Sequence, residues 1–178
     1  MSRIRIIGGE WRGRLIRVPA VPGLRPTPDR VRETLFNWLG QDLSDLVCLD
    51  LFAGSGALGL EAASRGAGHV TLVEQDRRAL SVLRINARLL GAERLELVRA
   101  DALQFLAANQ RRYDLIFLDP PYHQAWLDRV APLLQRALAP QALVYAEAEY
   151  RVERIANRCT VKQGQAGQVH YHLLRAEL

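Results

Sequence analysis

Asp50-Leu51-Phe52-Ala53-Gly54-Ser55-Gly56-Ala57-Leu58-Gly59 decides how this chain is read. An apolar run, Val47-Cys48-Leu49, leads into it, and an amphipathic stretch over 57–65 leaves it and stops at Gly66. The three glycines are spaced G-x-G-x-x-G. Glycine lets the backbone turn sharply from a strand into a helix and lets a ligand approach bare N–H groups. The spacing predicts a strand over 47–51, a helix over 57–65 and a ligand seat between them.

Outward from this turn the chain alternates. Short apolar runs at 70–73, 95–98, 113–118 and 142–146 read as strands, and the stretches between them have helical periodicity. Short apolar strands alternating with helices predict an α/β fold, a parallel sheet covered on both faces. The tail differs: 159–161 and 169–174 flank Gly164 to Gly167 and read as an antiparallel hairpin. Upstream, 3–18 reads as a β-hairpin, with Trp11 as a packing residue. Pro19, Pro22, Gly23 and Pro26 form a linker. Thr27-Pro28-Asp29 predicts a helix start with Thr27 as cap, and Val31, Leu35, Trp38 and Leu39 form an apolar face. The chain of 178 residues divides as a basic hairpin and linker, 1–26, and a larger domain, 27–178.

The chain carries +5, but not evenly. Arg3, Arg5, Arg12, Arg14, Arg17, Arg25, Arg30 and Arg32 stand against only Glu10 and Asp29 in the first 32 residues, so the rest is close to neutral. Lys162 is the only lysine. Arginine's planar fork suits phosphate and guanine edges, so a basic arm on a neutral domain reads as a nucleic-acid contact surface. No apolar run reaches the roughly 18 residues of a membrane span, and Met1 to Arg5 lacks the apolar core of a secretory signal. Cys48 and Cys159 make no disulfide framework. The expected address is the cytoplasm, and the expected state a monomer. His170 and His172 are one strand period apart but have no third ligand nearby, so no metal site is expected.

Two ligands compete for the glycine turn. The spacing suits a dinucleotide, and Glu74, 20 residues beyond Gly54, falls where a ribose-diol carboxylate would. Asp50 opposes this: a carboxylate beside the turn repels a pyrophosphate. S-adenosylmethionine has no phosphate and carries an ammonium and a sulfonium, which favours an acid there. Asp101 falls where it could accept from an adenine amino group.

Asp119-Pro120-Pro121-Tyr122 ends the 113–118 strand. Prolines fix φ and lack an N–H, so this strand end is stiff. The Asp119 carboxylate and Pro120 carbonyl can accept both N–H bonds of an exocyclic amine, while Tyr122 offers a face to the ring. Such a clamp raises electron density on a poor nucleophile and points its lone pair outward. Guanine N2, adenine N6 and cytosine N4 all present an NH₂ to it. A methyltransferase for DNA adenine or a protein amide, and an NAD(P)-binding oxidoreductase, are the rival readings.

These residues, with the stretches Arg3 to Arg14, Leu24 to Leu39, Cys48 to Gly59 and Gly167 to Tyr171, resemble the RsmD family of bacterial 16S rRNA guanine-N2 methyltransferases, within the class I S-adenosylmethionine-dependent superfamily. The resemblance implies a Rossmann-like, mostly parallel seven-stranded sheet with an antiparallel last strand. It implies that Asp50, Phe52, Ala53, Gly54, Ser55 and Gly56 hold the methionine part of the donor, Glu74 with Gln75 the ribose, and Asp101 with Ala102 the adenine side. It implies that Asp119, Pro120, Pro121 and Tyr122 hold the guanine amine. It also implies that the arm, through Arg3, Arg5, Arg12, Arg14, Arg17 and Arg30, grips rRNA in a small-subunit assembly intermediate. Residues 151–165, where a last helix is expected, match no pattern of the family.

Overall fold

Two short strands, β1 (Arg3–Arg5) and β2 (Leu15–Arg17), pair antiparallel with Arg3 opposite Arg17 and Ile4 opposite Ile16. Ile16 and Val18 point inward while Arg12, Arg14 and Arg17 point out. Trp11 is buried with Ile6 and Ile16 in the core, a packing role. The computed structural model describes residues 2–177; Met1 and Leu178, the outer ends of the two expected units, lie outside the described residues.

After the linker comes α1 (Asp29–Leu39). Its cap differs from expectation. The Thr27 hydroxyl is buried and donates to Glu147 Oε1 at 3.0 Å, leaving Pro28 at the helix boundary with no side-chain cap. A long-range carboxylate outcompetes the local N–H groups for that hydroxyl. Val31 and Leu35 are buried as the periodicity required, whereas Trp38 and Leu39 are half-buried at the end of the face, Trp38 lying against the Tyr171 ring.

The alternation then runs β3 (Val47–Asp50), α2 (Ala57–Ser64), β4 (His69–Glu74), α3 (Arg77–Leu90), β5 (Leu95–Arg99), α4 (Ala102–Ala108), β6 (Tyr113–Leu118), α5 (Trp126–Leu134) and β7 (Leu138–Ala148), followed by β8 (Arg154–Ile155), β9 (Arg158–Ala166) and β10 (Val169–Ala176). The main sheet is ordered β5-β4-β3-β6-β7-β10-β9-β8. From β5 to β7 it is parallel; β10 runs antiparallel between β7 and β9. The seven expected strands are joined by an eighth of two residues, β8, at the edge. Among the described residues the 151–165 segment holds β8 and most of β9, not a helix. Its backbone is committed to the sheet by Thr160 N–H donating to Glu153 O and by the β9–β10 ladder.

Strand β7 is longer than the expected 142–146. It passes through Pro140 because the buried Arg158 guanidinium donates to the carbonyls of Ala139, Pro140 and Ala142 at 2.8, 3.1 and 2.9 Å. Carbonyls that a proline-interrupted ladder would leave unpaired are thus satisfied. One sheet face packs Cys48, Leu115 and Phe117 under α1, α2, α3 and the hairpin; the other packs Leu49, Ile116 and Leu118 under α4 and α5. No helix of the described residues is long and apolar enough to cross a membrane.

Candidate active site

β3 has β4 on one side and β6 on the other, so the strand order reverses between β3 and β6. Ligands of open α/β sheets sit beyond the carboxyl ends at such a reversal. Asp50 ends β3 there, and Asp119 follows β6. Register adds a third acid. Asp50 pairs with Phe117, and Phe117 with Tyr145. Side chains two residues apart share a face, so Asp119 and Glu147 follow Phe117 and Tyr145 on that same face, one strand spacing apart.

The glycine turn is built for close approach. Gly54 (φ +55°) and Gly56 (φ +85°) are both left-handed. A Cβ on Gly56 would lie 2.4 Å from Leu83 Cδ1, and one on Gly59 would lie 2.7 Å from Leu72 Cδ2. Gly54 N–H donates to Glu74 Oε1 at 2.9 Å, while Glu74 Oε2 accepts from Asp76 N–H at 2.8 Å. Glu74 therefore bridges the turn to the start of α3. Leu24 of the linker packs over Gly54. The buried Asn86 side chain bonds the Arg17 backbone in both directions, at 2.9 Å each, and reaches the Ser55 carbonyl at 3.5 Å. The hairpin and the glycine turn thus share one buried amide.

Asp50 Oδ2 accepts the Gly59 amide at 2.9 Å; its Oδ1 is buried with no partner among the described residues. Burial pushes the carboxyl up to about 7, against the pull of that amide and with the help of Glu74 and Glu147. Asp119 Oδ1 is likewise enclosed and unpartnered. Burial, then Asp50 and Glu147, hold the Asp119 carboxyl well above the usual range. Buried polar atoms without partners are rare in folded proteins. Two of them on one row, on adjacent elements, mark a place where a ligand's donors or positive charge belongs. No three His, Cys, Asp or Glu side chains of the described residues form a metal-holding group.

The remaining expected residues distribute around this row. Phe52 meets Trp126 edge-on at 5.3 Å, and Ser55 is buried, its hydroxyl accepting from Ala57 N–H at 3.3 Å. Ala53 and Ala102 are buried, and Gln75 is exposed. Asp101 caps α4, Oδ1 accepting from Leu103 and Gln104 N–H at 2.9 and 3.2 Å. Pro120 is buried, Pro121 exposed, and Tyr122 stands 37 % exposed. Burial, then Glu147, Glu149 and Asp119, push the Tyr122 phenol up to about 12, with Arg25 opposing. His123 (φ +64°) and Ala125 (φ +52°) bend the loop back, and His123 N–H donates to Glu149 Oε1 at 2.9 Å. Arg3, Arg5, Arg12, Arg14, Arg17 and Arg30 are all exposed. Arg5 and Arg14 donate to the carbonyls of Gly13 and Leu89.

Sequence reasoning misses three functional candidates. Glu147 lies one residue past the expected end of its strand. Arg25 reads only as charge. Arg32, counted there with the basic stretch, is fully buried and bonds the carbonyls of Thr27 and Arg5, with Glu61 and Asp29. A run of apolar residues reaching Ala146, followed by an acid, is the one signal the sequence holds for Glu147.

The family described as conserved hypothetical protein 95 matches residues 4–175. Ribosomal RNA small subunit methyltransferase D of Escherichia coli K12 is 47% identical, over 99% of this chain and 91% of its own. The chain belongs to this methyltransferase family. The Haemophilus influenzae protein of the same name is 43% identical over 97% of this chain and 93% of its own. The solved Escherichia coli yhhF structure superposes with a TM-score of 0.89 at 47% identity and covers 99% of both chains.

Proposed function

We propose that the protein transfers a methyl group from S-adenosylmethionine to the exocyclic N2 amine of a guanine in 16S rRNA. The observation that carries this reading is Asp119 Oδ1, enclosed and unpartnered at the strand reversal beside the glycine turn. The family membership supports the rRNA substrate, since the 47% and 43% identical relatives are named ribosomal RNA small subunit methyltransferase D.

The residues fit the donor. The row of Asp50, Asp119 and Glu147 repels a pyrophosphate and attracts a cation, and the left-handed backbone of Gly54 and Gly56 turns the chain sharply beside it. Bound S-adenosylmethionine supplies a methyl group on a positively charged sulfur. Asp50 and the 52–56 turn would hold its methionine part, Glu74 and Gln75 the ribose, Asp101 and Ala102 the adenine. Glu74 and Asp101 keep lone pairs for this although each already accepts backbone amides.

Asp119 and the Pro120 carbonyl accept the two N–H bonds of the guanine amine and aim its lone pair at the methyl. Orientation of this kind lowers a barrier by up to about 7–11 kcal/mol. Tyr122 stacks on the ring. As the new N–C bond forms, nitrogen becomes positive; Asp119 stabilises that charge, and its raised proton affinity suits it to receive the N2 proton. The base must leave its stack to enter.

The hairpin and linker, 1–26, form the RNA-holding part, and 27–178 the transfer domain. Arg3 and Arg17 are cross-strand partners, and like charges directly opposite are destabilising without an anion to share. An rRNA backbone, in a small-subunit assembly intermediate, is that anion. The protein acts as a monomer in the cytoplasm.

The test is methyl transfer to small-subunit particles from cells lacking the gene, read by nucleoside mass spectrometry. N2-methylguanosine is expected with the parent chain. Asp119→Ala is expected to lose it while still binding S-adenosylmethionine by calorimetry. Full activity in Asp119→Ala overturns the clamp.

A further inference from the structure

The guanine amine is not the only group that the acidic row can read. Glu147 is 8% exposed, and its two oxygens are in different situations. Oε1 accepts from the Thr27 hydroxyl at 3.0 Å and from the Tyr145 hydroxyl at 2.7 Å. Oε2 has no partner among the described residues, yet it is not sealed from solvent as Asp119 Oδ1 is. Two hydroxyls, one from the start of α1 and one from the same strand, thus lock the carboxylate by one oxygen and leave the other for a ligand. Leu118 pairs with Ala146 in the parallel ladder, so Asp119 and Glu147 are the next residues along neighbouring strands, and the Glu147 charge acts on the Asp119 carboxyl.

We infer that Glu147 is the specificity residue of the acceptor site, its Oε2 accepting the N1–H of guanine while Asp119 and Pro120 accept the N2 amine. This rests on the guanine reading proposed above. The chemistry of the base edges makes the choice. In guanine one of the two ring nitrogens beside the amine, N1, carries a hydrogen. In adenine and cytosine the ring nitrogens beside the amine, N1 and N3, carry lone pairs. An ionised carboxylate only accepts. Facing guanine it makes a charge-assisted bond; facing adenine or cytosine it opposes a lone pair in a buried setting. Discrimination of this type combines attraction to one ligand with repulsion of the other. The amine clamp alone treats all three bases alike, so the selection must come from a neighbouring group, and Glu147 is the acid one strand over on the same face.

The Thr27 bond gives the residue a structural duty as well, so the test must separate the two. Glu147→Gln does this. Its amide oxygen still accepts from Thr27 and Tyr145, while its NH₂ replaces Oε2 and turns the free atom from acceptor to donor. The substrate is the particle on which the parent chain is active, reconstituted with either guanine or 2-aminopurine at the position it methylates. 2-Aminopurine keeps the amine but has a lone pair at N1.

The parent chain is expected to methylate 2-aminopurine about a hundredfold less efficiently in kcat/KM than guanine, the scale of losing one hydrogen bond to a charged group. Glu147→Gln is expected to lose at least about tenfold on guanine and to narrow or reverse that preference, because its NH₂ now faces the lone pair. A parent-like circular dichroism spectrum and melting temperature of Glu147→Gln show an intact fold; a merely structural role moves the melting temperature but not base preference. Equal rates of the parent chain on guanine and 2-aminopurine overturn the inference and leave the proposed function standing, and this arm needs no variant. A parent product other than N2-methylguanosine overturns the guanine reading itself, and this inference with it.

Discussion

Gly8 N–H donates to Glu61 Oε1 at 2.8 Å, so the basic hairpin is tied to the helix that leaves the glycine turn by a carboxylate with no exposed surface. Glu61 also accepts from Ile7 N–H and from the Arg65 guanidinium, and pairs with Arg32 at 3.4 Å. Every lone pair of this acid is used, and two buried guanidiniums depend on it.

Glu61→Gln leaves the buried Arg65 without its counter-charge and Arg32 with Asp29 alone. Breaking a buried ion pair from one side costs about 3–5 kcal/mol. For a chain of this size each kcal/mol moves the melting temperature by about 2–4 °C, so a drop on the order of 10 °C is expected. Tryptic cleavage at Arg12 and Arg14 should also speed up, as the hairpin detaches before the sheet melts. A variant melting within a degree of the parent would show that the network contributes little.

Two glycines of the hairpin separate strain from collision. Gly9 (φ +79°) and Gly13 (φ +83°) have nearly the same φ. A Cβ on Gly13 meets nothing within 4 Å, whereas one on Gly9 would lie 2.0 Å from the Ser64 carbonyl oxygen. Gly13→Ala is expected to cost only the left-handed penalty, about 1–2 kcal/mol. Gly9→Ala must also push the hairpin off α2 and break the Glu10 N–H bond to Ser64 O, which is 2.7 Å long. Urea titration should place the Gly9→Ala midpoint clearly below that of Gly13→Ala; equal midpoints would refute the docking of the hairpin on α2.

What can be read from the residues alone follows the range of the interactions. The glycine turn, the strand ends at Asp50, Glu74 and Asp119 and the outward arginines are local patterns, and each lies where its pattern puts it. Thr27 and Arg32 depart from expectation because local readings, a helix cap and a basic contact surface, are outweighed by partners far along the chain. The Thr27 hydroxyl bonds a residue 120 positions away, and Arg32 one 29 positions away. Glu147 gains its meaning only from register, since nothing at 142–148 says that it will lie beside Asp119. Strand β7 likewise tolerates Pro140 only because Arg158, on another strand, satisfies its carbonyls.

The acidic row makes donor binding a proton-linked event. Burial first, then Glu74 and Glu147, raise Asp50 to about 7, so near neutral pH it is partly protonated in the free protein. A cationic donor favours the ionised form, and Asp119 responds in the same direction. Binding of S-adenosylmethionine at pH 7 is therefore expected to release protons. Calorimetry in buffers of different ionisation enthalpy measures the number, expected to shrink in Asp50→Asn. The same shift acts on folding. A carboxyl raised above its unfolded value binds protons in the native state, so the stability it contributes is present below about pH 4 and lost as pH rises toward 7. Asp50→Asn should flatten the pH dependence of the melting temperature across that window. Proton uptake on donor binding is the result that contradicts this account.

The pairing of Arg3 with Arg17 makes the last prediction. Neither guanidinium has a hydrogen-bond partner among the described residues, and both are exposed on one face of a two-stranded ribbon. Two like charges held opposite each other cost the free protein stability. They also present a pair of forks to adjacent phosphates. Replacing both with serine should leave the melting temperature unchanged or slightly higher, while binding to 16S rRNA weakens. Each phosphate left without its arginine lowers the slope of log K against log salt concentration by about 0.7 on single strands and 0.9 on duplex. The double variant is thus expected to flatten the slope by about 1.4–1.8, measured by filter binding between roughly 50 and 200 mM salt. A destabilised protein with an unchanged slope would mean that the two arginines serve the hairpin rather than the RNA.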